Sequence, residues 1–258
     1  LEAFGPEAVL CMGWEANRRI PGIKRLLPQA RVVATQRTGK GLTRLALRAL
    51  RAADGVMANS RWARDRAVAA GVEPERCLVV NNALGFQVSD DPVARTRIRQ
   101  ELGANQDDVV LVNVAGFRRG KGQAELLAIL EPLFRTNPGL RLWLVGEGPE
   151  RKRCEQLAAV LEVKNQVVFT GRREDVTAIL TASDICVHAS QRESQPNALI
   201  EAQACGLPVA AWSWAGVEET FLHGESGLAV SYGDVSGLRT AVQKLVEDEG
   251  LRKAMGTI

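Results

Sequence analysis

Two glutamates, Glu193 and Glu201, lie on either side of a helix start whose sequence suits it to binding a phosphate group. Pro196 fits the first helical position, since the N–H group that proline lacks would have no partner there. Glu201 lies more than a turn inside the helix, too deep for a capping role, and small or apolar neighbours crowd it. Free N–H groups at a helix start bind anions, and carboxylates accept hydrogen bonds from hydroxyls. The pattern predicts a diphosphate site with hydroxyl-bearing groups on both sides. The alternative is that Glu193 caps or screens the helix and Glu201 is a solvated surface residue.

The residues between the two glutamates are predicted to form the helix end itself. Ser194 or Gln195 stands where a capping side chain is expected. The backbone N–H groups of Asn197, Ala198 and Leu199 are expected to point out of the helix and to receive phosphate oxygens.

A second candidate anion site is the loop 115–122, AGFRRGKG, which follows a predicted strand and precedes a predicted helix. Its glycines let the backbone approach a phosphate closely, and its cations, among them Arg118 and Lys121, can neutralise a diphosphate. The loop matches neither a Walker P-loop, which needs GxxxxGKS or GxxxxGKT, nor the dinucleotide fingerprint GxGxxG. Taken alone, it has an ordinary turn as its alternative interpretation.

Short apolar runs alternate with amphipathic segments of helical length, which is the pattern of βαβ units on parallel sheets. The predicted fold class is α/β, with one domain at residues 1–86 and a doubly wound domain at residues 87–258. The polar stretch Gln87–Pro92 is interpreted as the linker between them. The predicted strands are Ala8–Met12, Arg31–Thr35, Gly55–Asn59, Cys77–Asn81, Val109–Val114, Leu140–Val145, Gln166–Thr170, Asp184–His188 and Pro208–Trp212. The predicted helices are Leu42–Ala53, Arg61–Ala70, Ala94–Leu102 and those that follow Lys121, Glu150, Asp175, Pro196 and Val235.

Composition narrows the class of protein. The chain has 258 residues, of which 46% are hydrophobic, and no apolar run approaches the ~20 residues of a membrane span. Aromatic residues make up only 5% and are not interleaved with a basic stripe, which argues against a nucleic-acid partner. The five cysteines are scattered and form no CxxC pair, which favours free thiols in a reducing cytoplasm.

Basic residues are concentrated at the front of the chain. The net charge is only +3, but the first 85 residues carry 14 Lys or Arg against 7 Asp or Glu. Arg44, Arg48 and Arg51 fall on one stripe of a predicted helix. Peripheral contact with an anionic membrane, on its inner face, is one hypothesis for this stripe, and a solvated basic surface is the other.

The order of several short motifs resembles that of retaining glycosyltransferases of family 4. Glu193 and Glu201 match the E-x7-E signature, which continues here as AQACGLPV. The motifs RRGKG at 118–122, LVGEGP at 144–149, VFTG at 168–171, ASDI at 182–185 and AGVEE at 215–219 follow the family order, as does Ser190 before the signature. Any one of these motifs is weak, but the ordered set is specific. It covers residues from about 76 to 247 well and the front of the chain weakly.

The resemblance implies a GT-B fold with two Rossmann-like domains. In this fold the N-terminal domain binds mainly the acceptor, and the C-terminal domain binds mainly a nucleotide-sugar donor. It implies retaining transfer of a sugar from a UDP-, GDP- or ADP-sugar to a hydroxyl of a glycan, a lipid or a polysaccharide precursor, without a metal or other cofactor. Arg118 and Lys121 would then bind the diphosphate, Glu193 the transferred sugar and Glu201 the ribose. The remaining donor-binding candidates are Ser194, Gln195, Asn197, Ala198, Leu199 and, for base or sugar specificity, Arg172.

The sequence also departs from the family pattern. The family's opening strand and glycine-rich loop do not precede Leu1, and its long crossing helix does not follow Ile258, so the chain is interpreted as a fragment with an incomplete N-terminal domain. Many family members have a Gly-Arg pair where this chain has Ala115 and Gly116. The cation of this chain, Arg118, comes two residues later. Two alternative functions are a donor-binding fragment or pseudoenzyme without transfer activity, and a GT-B nucleotide-sugar epimerase. An epimerase would need acid and base residues that a chain with only His188 and His223 as histidines does not obviously offer.

Overall fold

The chain folds into two compact units, each with its own parallel sheet. The computed structural model describes residues 4–39, 41–85, 88, 91–191 and 193–257. The first unit comprises Leu1–Ala83 and Arg192–Gln195, and the second comprises Leu84–Gln191 and Pro196–Ile258. The described stretch Glu193–Gln195, which precedes Pro196, therefore groups with the first unit, although Gln191 and Pro196 belong to the second.

The first unit contains a four-stranded parallel sheet in the order β1-β2-β3-β4. Side chains of Val32, Ala34 and Val56 are fully buried in its core, where β-branched and small residues pack against the crossover helices. Ser60 begins one of these helices, because its hydroxyl accepts a hydrogen bond from the N–H of Ala63 at 3.0 Å. The elements are β1 (Ala8–Cys11), α1 (Trp14–Asn17), α2 (Ile20–Leu26), β2 (Arg31–Gln36), α3 (Arg44–Ala52), β3 (Gly55–Ala58), α4 (Arg61–Ala69) and β4 (Cys77–Val79).

The second unit contains a six-stranded parallel sheet in the order β10-β9-β8-β5-β6-β7. This order reverses between β5 and β8, as in a doubly wound Rossmann-type sheet. The elements are α5 (Pro92–Glu101), β5 (Val109–Val114), α6 (Gln123–Thr136), β6 (Leu140–Val145), α7 (Arg151–Val160), β7 (Val167–Gly171), α8 (Val176–Ala182), β8 (Ile185–His188), α9 (Asn197–Ala204), β9 (Val209–Ser213), β10 (Gly227–Ser231), α10 (Val235–Glu247) and α11 (Glu249–Gly256).

Successive residues of the central strand face two separate cores of the second unit. Leu111 packs on one face of the sheet with apolar residues of α6, α7, α10 and α11. Val110 and Val112 pack on the other face with apolar residues of α5, α8 and α9. Because helices cover both faces, the loops at the carboxyl ends of the strands remain available for ligands.

A buried arginine fixes the amino ends of the two central strands. Arg99 of α5 is fully buried, and its guanidinium donates to the Asp184 carboxylate at 3.2 Å and to the Ala182 carbonyl at 2.9 Å. The same carboxylate accepts a hydrogen bond from the N–H of Val110 at 2.7 Å. Asp184 precedes β8 and Val110 lies in β5, so this ion pair sets the spacing of the strands at which the order reverses.

The predicted α/β class and all nine predicted strands are confirmed, with ends displaced by at most two residues. The edge strand β10 was not predicted, and neither were α1, α2 and α11.

Within the predicted linker, Gln87, Ser89 and Asp90 lie outside the described residues. The assignment of Asp91 and Pro92 to a linker is wrong, because the Asp91 carboxylate caps α5 through the N–H of Val93 at 3.0 Å. Across the described residues, no helix is both long and apolar enough to cross a membrane.

Candidate functional site

The carboxyl ends of β5 and β8 separate where the order of the strands reverses. The two strands pair only at Leu111 with Ile185 and at Val112 with Cys186. Beyond that point the buried side chain of Asn113 links the two strands, because its amide donates to the Val187 carbonyl at 2.9 Å. In doubly wound sheets the ligand binds in the crevice outside such a switch point. The loops that follow β5 and β8 are therefore the walls of the candidate site.

The two loops touch at a glycine that no other residue can replace without movement. Gly122 has a left-handed φ of +83°, and a Cβ at this position would lie 2.2 Å from the carbonyl oxygen of Ala189. Real Cβ atoms do not approach that closely, so the backbone contact requires glycine. Gly122 is also the residue that precedes α6, and no side chain caps this helix start.

Hydrogen bonds join the same two loops next to this contact, and others hold the loop after β5 to the start of α6. The Gly120 carbonyl accepts from the N–H of Gln191 at 2.8 Å and from the Ser190 hydroxyl at 3.1 Å. The buried Gln123 amide donates to the carbonyls of Ala115 and Gly116 at 3.2 and 3.3 Å. The cation-bearing loop is thus held at both ends by the protein itself, which is the preorganisation that a phosphate site needs.

Arg118 and Lys121 project from this fixed loop. Arg118 is exposed and lines a cavity of about 200 Å³, together with Gly122, Glu150 and Arg153. Lys121 is half-buried. The structure therefore places both predicted cations in one short loop at the switch point, next to the start of α6, where a helix end and cations favour the same anionic ligand.

The other wall of the crevice leads into α9, whose start differs from the prediction. Pro196 is the residue that precedes the helix and not its first residue, and no side chain caps α9. The predicted capping role of Ser194 or Gln195 is wrong. The expectation that the N–H of Leu199 points out of the helix is also wrong, because this group donates to the Pro196 carbonyl at 3.2 Å. Asn197 and Ala198 occupy the first two helical positions, one place earlier in the helix than predicted.

Ser194 and Gln195 are used instead within the first unit. The Ser194 hydroxyl donates to the Asn59 side chain at 2.6 Å and lies 2.9 Å from the Ser60 hydroxyl. The Gln195 side-chain oxygen accepts from the N–H of Asn82 at 2.6 Å. Both residues are buried, so their polar atoms are committed to neighbours far away in sequence. Glu193 is half-buried and belongs to the same stretch, Glu193–Gln195.

Glu201 lies on α9 in a crowded environment, as the sequence predicts. The side chain is half-buried, and burial raises the pKa of its carboxyl above the ordinary value for glutamate. Burial also raises the pKa of Cys186 to about 12, and the charge of Glu201 contributes to that rise. The pKa of Cys205 is raised to about 11 by the same two causes in the same order. Glu201 is thus a desolvated carboxylate beside protonated thiols, which suits it to accept hydrogen bonds from ligand hydroxyls.

Arg172 follows the opposite edge of the sheet. Its strand, β7, lies three strand positions from β8, a separation of about 14 Å at the usual strand spacing. The side chain is exposed. The structure does not bring Arg172 next to the loop that precedes α9, and its role in base or sugar specificity stays a prediction.

Sequence reasoning missed the residues that position the site. Asn113 and Gln191 bind backbone atoms and carry no motif of their own, and Asn82 acts on Gln195 from more than a hundred positions away. The glycines of the loop after β6 were one available signal of close backbone contacts. A Cβ at Gly146 or Gly148 would lie 2.2 or 2.3 Å from a neighbouring carbonyl oxygen. Among the described residues there is no group of three or more His, Cys, Asp or Glu side chains that could hold a metal ion.

A doubly wound sheet with a cation-bearing loop and a helix start at its switch point is an arrangement that nucleotide-binding α/β proteins share. The family described as glycosyl transferases group 1 matches residues 94–258, which is more than half of the chain. The chain belongs to this family of glycosyltransferases.

Solved structures confirm the expected GT-B fold. The crystal structure of Anabaena HepE in complex with UDP-glucose has a TM-score of 0.86 at 24% identity and covers 97% of this chain and 72% of the HepE chain. The chain is 30% identical over 161 residues to N-acetyl-alpha-D-glucosaminyl L-malate synthase of Bacillus anthracis, covering 62% of this chain and 42% of the synthase. It is 34% identical over 175 residues to the GDP-mannose-dependent alpha-(1-6)-phosphatidylinositol monomannoside mannosyltransferase of Mycolicibacterium smegmatis, covering 64% and 46% of the two chains. The chain spans less than half the length of the B. anthracis synthase and of the M. smegmatis mannosyltransferase.

Proposed function

We propose that the chain carries the donor site of a retaining glycosyltransferase of family 4, which moves a sugar from a nucleoside diphosphate to an acceptor hydroxyl. The observation that carries this proposal is the contact of Gly120 and Gly122 with the segment Ala189–Gln191. It holds the loop with Arg118 and Lys121 against the segment that leads into α9. A diphosphate between them would meet two cations and two helix starts.

Six of the predicted site residues have a role in this proposal. Arg118 and Lys121 neutralise the diphosphate and stabilise it as a leaving group, in place of a metal ion. The desolvated carboxylate of Glu201 accepts hydrogen bonds from the ribose hydroxyls, and Glu193 accepts them from the transferred sugar. The N–H groups at the start of α9, those of Asn197 and Ala198, face phosphate and sugar oxygens.

The proposed chemistry retains the configuration at the anomeric carbon. The acceptor oxygen forms its bond to this carbon on the same face from which the diphosphate oxygen departs. The acceptor proton moves to the departing diphosphate, and the bonding pair of the broken C–O bond stays on that oxygen. No protein nucleophile is needed, so Glu193 is assigned to the sugar hydroxyls and not to covalent catalysis.

The similar proteins suggest which donors to test first. HepE was crystallised with UDP-glucose, and the M. smegmatis relative is GDP-mannose-dependent. UDP- and GDP-sugars therefore lead the donor candidates, with ADP-sugars third. The proposed acceptor is a glycan or a lipid-linked sugar, reached from the cytoplasm at the inner face of a membrane. Of the basic stripe on α3, Arg51 donates to the Ala70 carbonyl at 3.0 Å, while Arg44 and Arg48 are exposed to such a surface.

The test is the configuration of the first sugar product. The chain is incubated with UDP-glucose, GDP-mannose and ADP-glucose in EDTA, and the anomeric proton of the released or transferred sugar is recorded by NMR before mutarotation. We expect the α-anomer first from these α-linked donors. A first-formed β-anomer contradicts retention. Donor binding without any product supports the alternative of a donor-binding chain without transfer, and a sugar altered at another carbon supports an epimerase.

Glu193 offers a second, independent test. We expect Glu193→Gln to weaken binding of the intact sugar donor more than binding of the bare nucleoside diphosphate, because only the sugar hydroxyls lose a charged acceptor. Exposed Glu247, at the end of α10, gives the matched control Glu247→Gln. Equal losses for the two ligands contradict the assignment of Glu193 to the sugar.

A further inference from the structure

Helix α9 carries Glu201 on one side and a half-buried glutamine, Gln203, on the other. Successive residues of a helix point about 100° apart around its axis, so the directions of these two side chains differ by about 200°. Leu199 lies one turn before Gln203 on the same side and is buried in a core with Val217 and Phe221. Gln203 therefore lies on the side of α9 that packs into the second unit, and Glu201 lies on the opposite side.

The Gln203 side chain joins α9 to the turn that precedes β10. Its amide group donates to the Thr220 carbonyl at 2.6 Å and to the Leu199 carbonyl, in its own helix, at 3.0 Å. Its side-chain oxygen accepts a hydrogen bond from the Ser226 hydroxyl at 3.0 Å. Both amide donors are thus used, and a flipped amide would place its oxygen against two carbonyls. The hydrogen-bonding pattern therefore allows one orientation of this side chain.

The turn that receives Gln203 is itself held in place. The Ser226 hydroxyl accepts from the N–H of Leu222 at 3.0 Å, and the Ser226 carbonyl accepts from the N–H of Val209, the first residue of β9, at 3.3 Å. A Cβ built on Gly227 would lie 2.6 Å from the Val209 carbonyl oxygen, so turn and strand are in close backbone contact. Gln203 thus links α9 to a tightly packed part of the sheet.

Rotation of α9 about its own axis is the movement that would displace Glu201 most. A carboxylate at the end of a helical side chain lies about 5–6 Å from the axis, so a rotation of about 20° would move it by about 2 Å. Hydrogen bonds do not survive such a displacement. The packing of Leu199 and Ala202 is apolar and has little directionality, whereas the hydrogen bonds of Gln203 are directional. Gln203 is therefore the contact that fixes this rotation.

We propose that Gln203 is a positioning residue for Glu201. It fixes the rotation of α9 and, with it, the place of the Glu201 carboxylate. It thereby sets the preference of the site for a ribonucleotide over a nucleotide without ribose hydroxyls. This inference rests on the proposed function, in which Glu201 accepts hydrogen bonds from the ribose.

The test is calorimetric titration, in EDTA, of UDP, GDP and ADP and of their 2′,3′-dideoxy analogues. The wild type should bind one of the ribonucleotides at least about tenfold more tightly than its dideoxy analogue, which offers no hydroxyl to Glu201. Gln203→Met keeps the length of the side chain and loses its three hydrogen bonds. It should weaken binding of the ribonucleotide about five- to tenfold and change binding of the dideoxy analogue less than about twofold.

A double variant decides whether Gln203 acts through Glu201. Glu201→Ala leaves no acceptor at this position, so the further change Gln203→Met should alter nucleotide affinity less than about twofold. A merely structural role would weaken both kinds of nucleotide alike, with or without Glu201. Equal losses for the ribonucleotide and its dideoxy analogue, or additive losses in the double variant, overturn the proposal.

A second variant removes the same contact from the other side. Ser226→Ala deletes one of the three hydrogen bonds of Gln203 and should reduce the preference for the ribonucleotide about two- to threefold. Exposed Gln156 of α7 gives the matched control Gln156→Met, which should keep the wild-type preference. Urea unfolding establishes that each variant is folded under the titration conditions. If Gln203→Met does not fold, Ser226→Ala carries the test, and an unchanged preference in that variant overturns the proposal.

The wild-type titrations separate the failure of this inference from the failure of the proposed function. Absence of all nucleotide binding overturns the proposed donor site and, with it, the role of Gln203. Equal wild-type affinities for a ribonucleotide and its dideoxy analogue overturn the assignment of Glu201 to the ribose. A wild-type preference that survives in both Gln203→Met and Ser226→Ala overturns the role of Gln203 alone.

Discussion

A single added methyl group at Gly122 should separate the two walls of the candidate crevice. The Cβ of an alanine there would lie 2.2 Å from the carbonyl oxygen and 2.9 Å from the Cβ of Ala189. Neither neighbour is the far end of a flexible side chain, so the loop after β5 must move away from the loop after β8. That movement strains the hydrogen bonds from Gln191 and Ser190 to the Gly120 carbonyl.

The cost of Gly122→Ala has two parts. A left-handed backbone costs an alanine about 1–2 kcal/mol. Overpacking adds about 1–3 kcal/mol, because the displaced atoms belong to backbone that hydrogen bonds hold in place. The free energy of unfolding should therefore fall by about 2–5 kcal/mol, from the sum of the two contributions.

A matched control isolates the second part. Gly224 has nearly the same φ, +82°, but a Cβ built on it meets nothing within 4 Å. Gly224→Ala should lose only the conformational cost of about 1–2 kcal/mol. Urea unfolding followed by tryptophan fluorescence gives both losses, and calorimetric titration with UDP or GDP gives the effect on the site. We expect only Gly122→Ala to weaken nucleotide binding. Equal losses of stability, or unchanged nucleotide affinity in Gly122→Ala, would refute the idea that this contact builds the crevice.

Three further predictions concern buried charge and backbone conformation. Arg99→Met should lower the free energy of unfolding by about 1–3 kcal/mol, because buried carbonyls such as that of Ala182 lose their donor, although Asp184 keeps its ion pair with Arg95. Exposed Arg97→Met should change it by less than about 0.5 kcal/mol. The raised pKa of Glu201 means that its contribution to stability is present at acidic pH and is lost as pH rises through the folded-state value. Glu201→Gln should therefore raise the melting temperature of the nucleotide-free protein at neutral pH and raise it less at acidic pH; a lower melting temperature at neutral pH would contradict this. Ala215 has a left-handed φ of 57°, so Ala215→Gly should raise the free energy of unfolding by roughly 0.5–1 kcal/mol in urea titrations, and a loss would contradict the assignment of strain to this residue.

The second unit was largely predictable because its elements are long and regular. The strands Val109–Val114 and Leu140–Val145 are apolar at every position but one, Asn113 and Arg141 respectively, as expected for strands buried on both faces, and both were predicted with the observed ends. The edge strand β10 was missed, because GLAVS is short and becomes a strand only through its pairing with β9 from Gly227 with Val209 onward. Pairing between segments that are distant in sequence is the part of a fold that local patterns do not contain.

The sequence likewise predicted those features of the candidate site that depend on neighbouring residues, and it did not predict those that depend on distant ones. The crowding of Glu201 follows from its neighbours on the helix, and the raised pKa of its carboxyl agrees with it. The cap of α9 was mispredicted because Ser194 is hydrogen-bonded to Asn59, which is 135 positions away, and a hydroxyl committed there cannot cap the helix. The glycines of the loop after β5 were noted as a group, but only the position of Ala189 shows why Gly122 must be glycine.

The most direct test of the proposed donor site is calorimetric titration of nucleoside diphosphates in EDTA into the wild-type chain, Lys121→Ala and Glu201→Gln. Exposed Lys164→Ala and Glu247→Gln are the matched controls. We predict that the wild type binds UDP or GDP in EDTA, that each site variant weakens this binding at least about tenfold through loss of a charged hydrogen-bond partner, and that the controls bind like the wild type. Unchanged affinity in both Lys121→Ala and Glu201→Gln would contradict the assignment of the site.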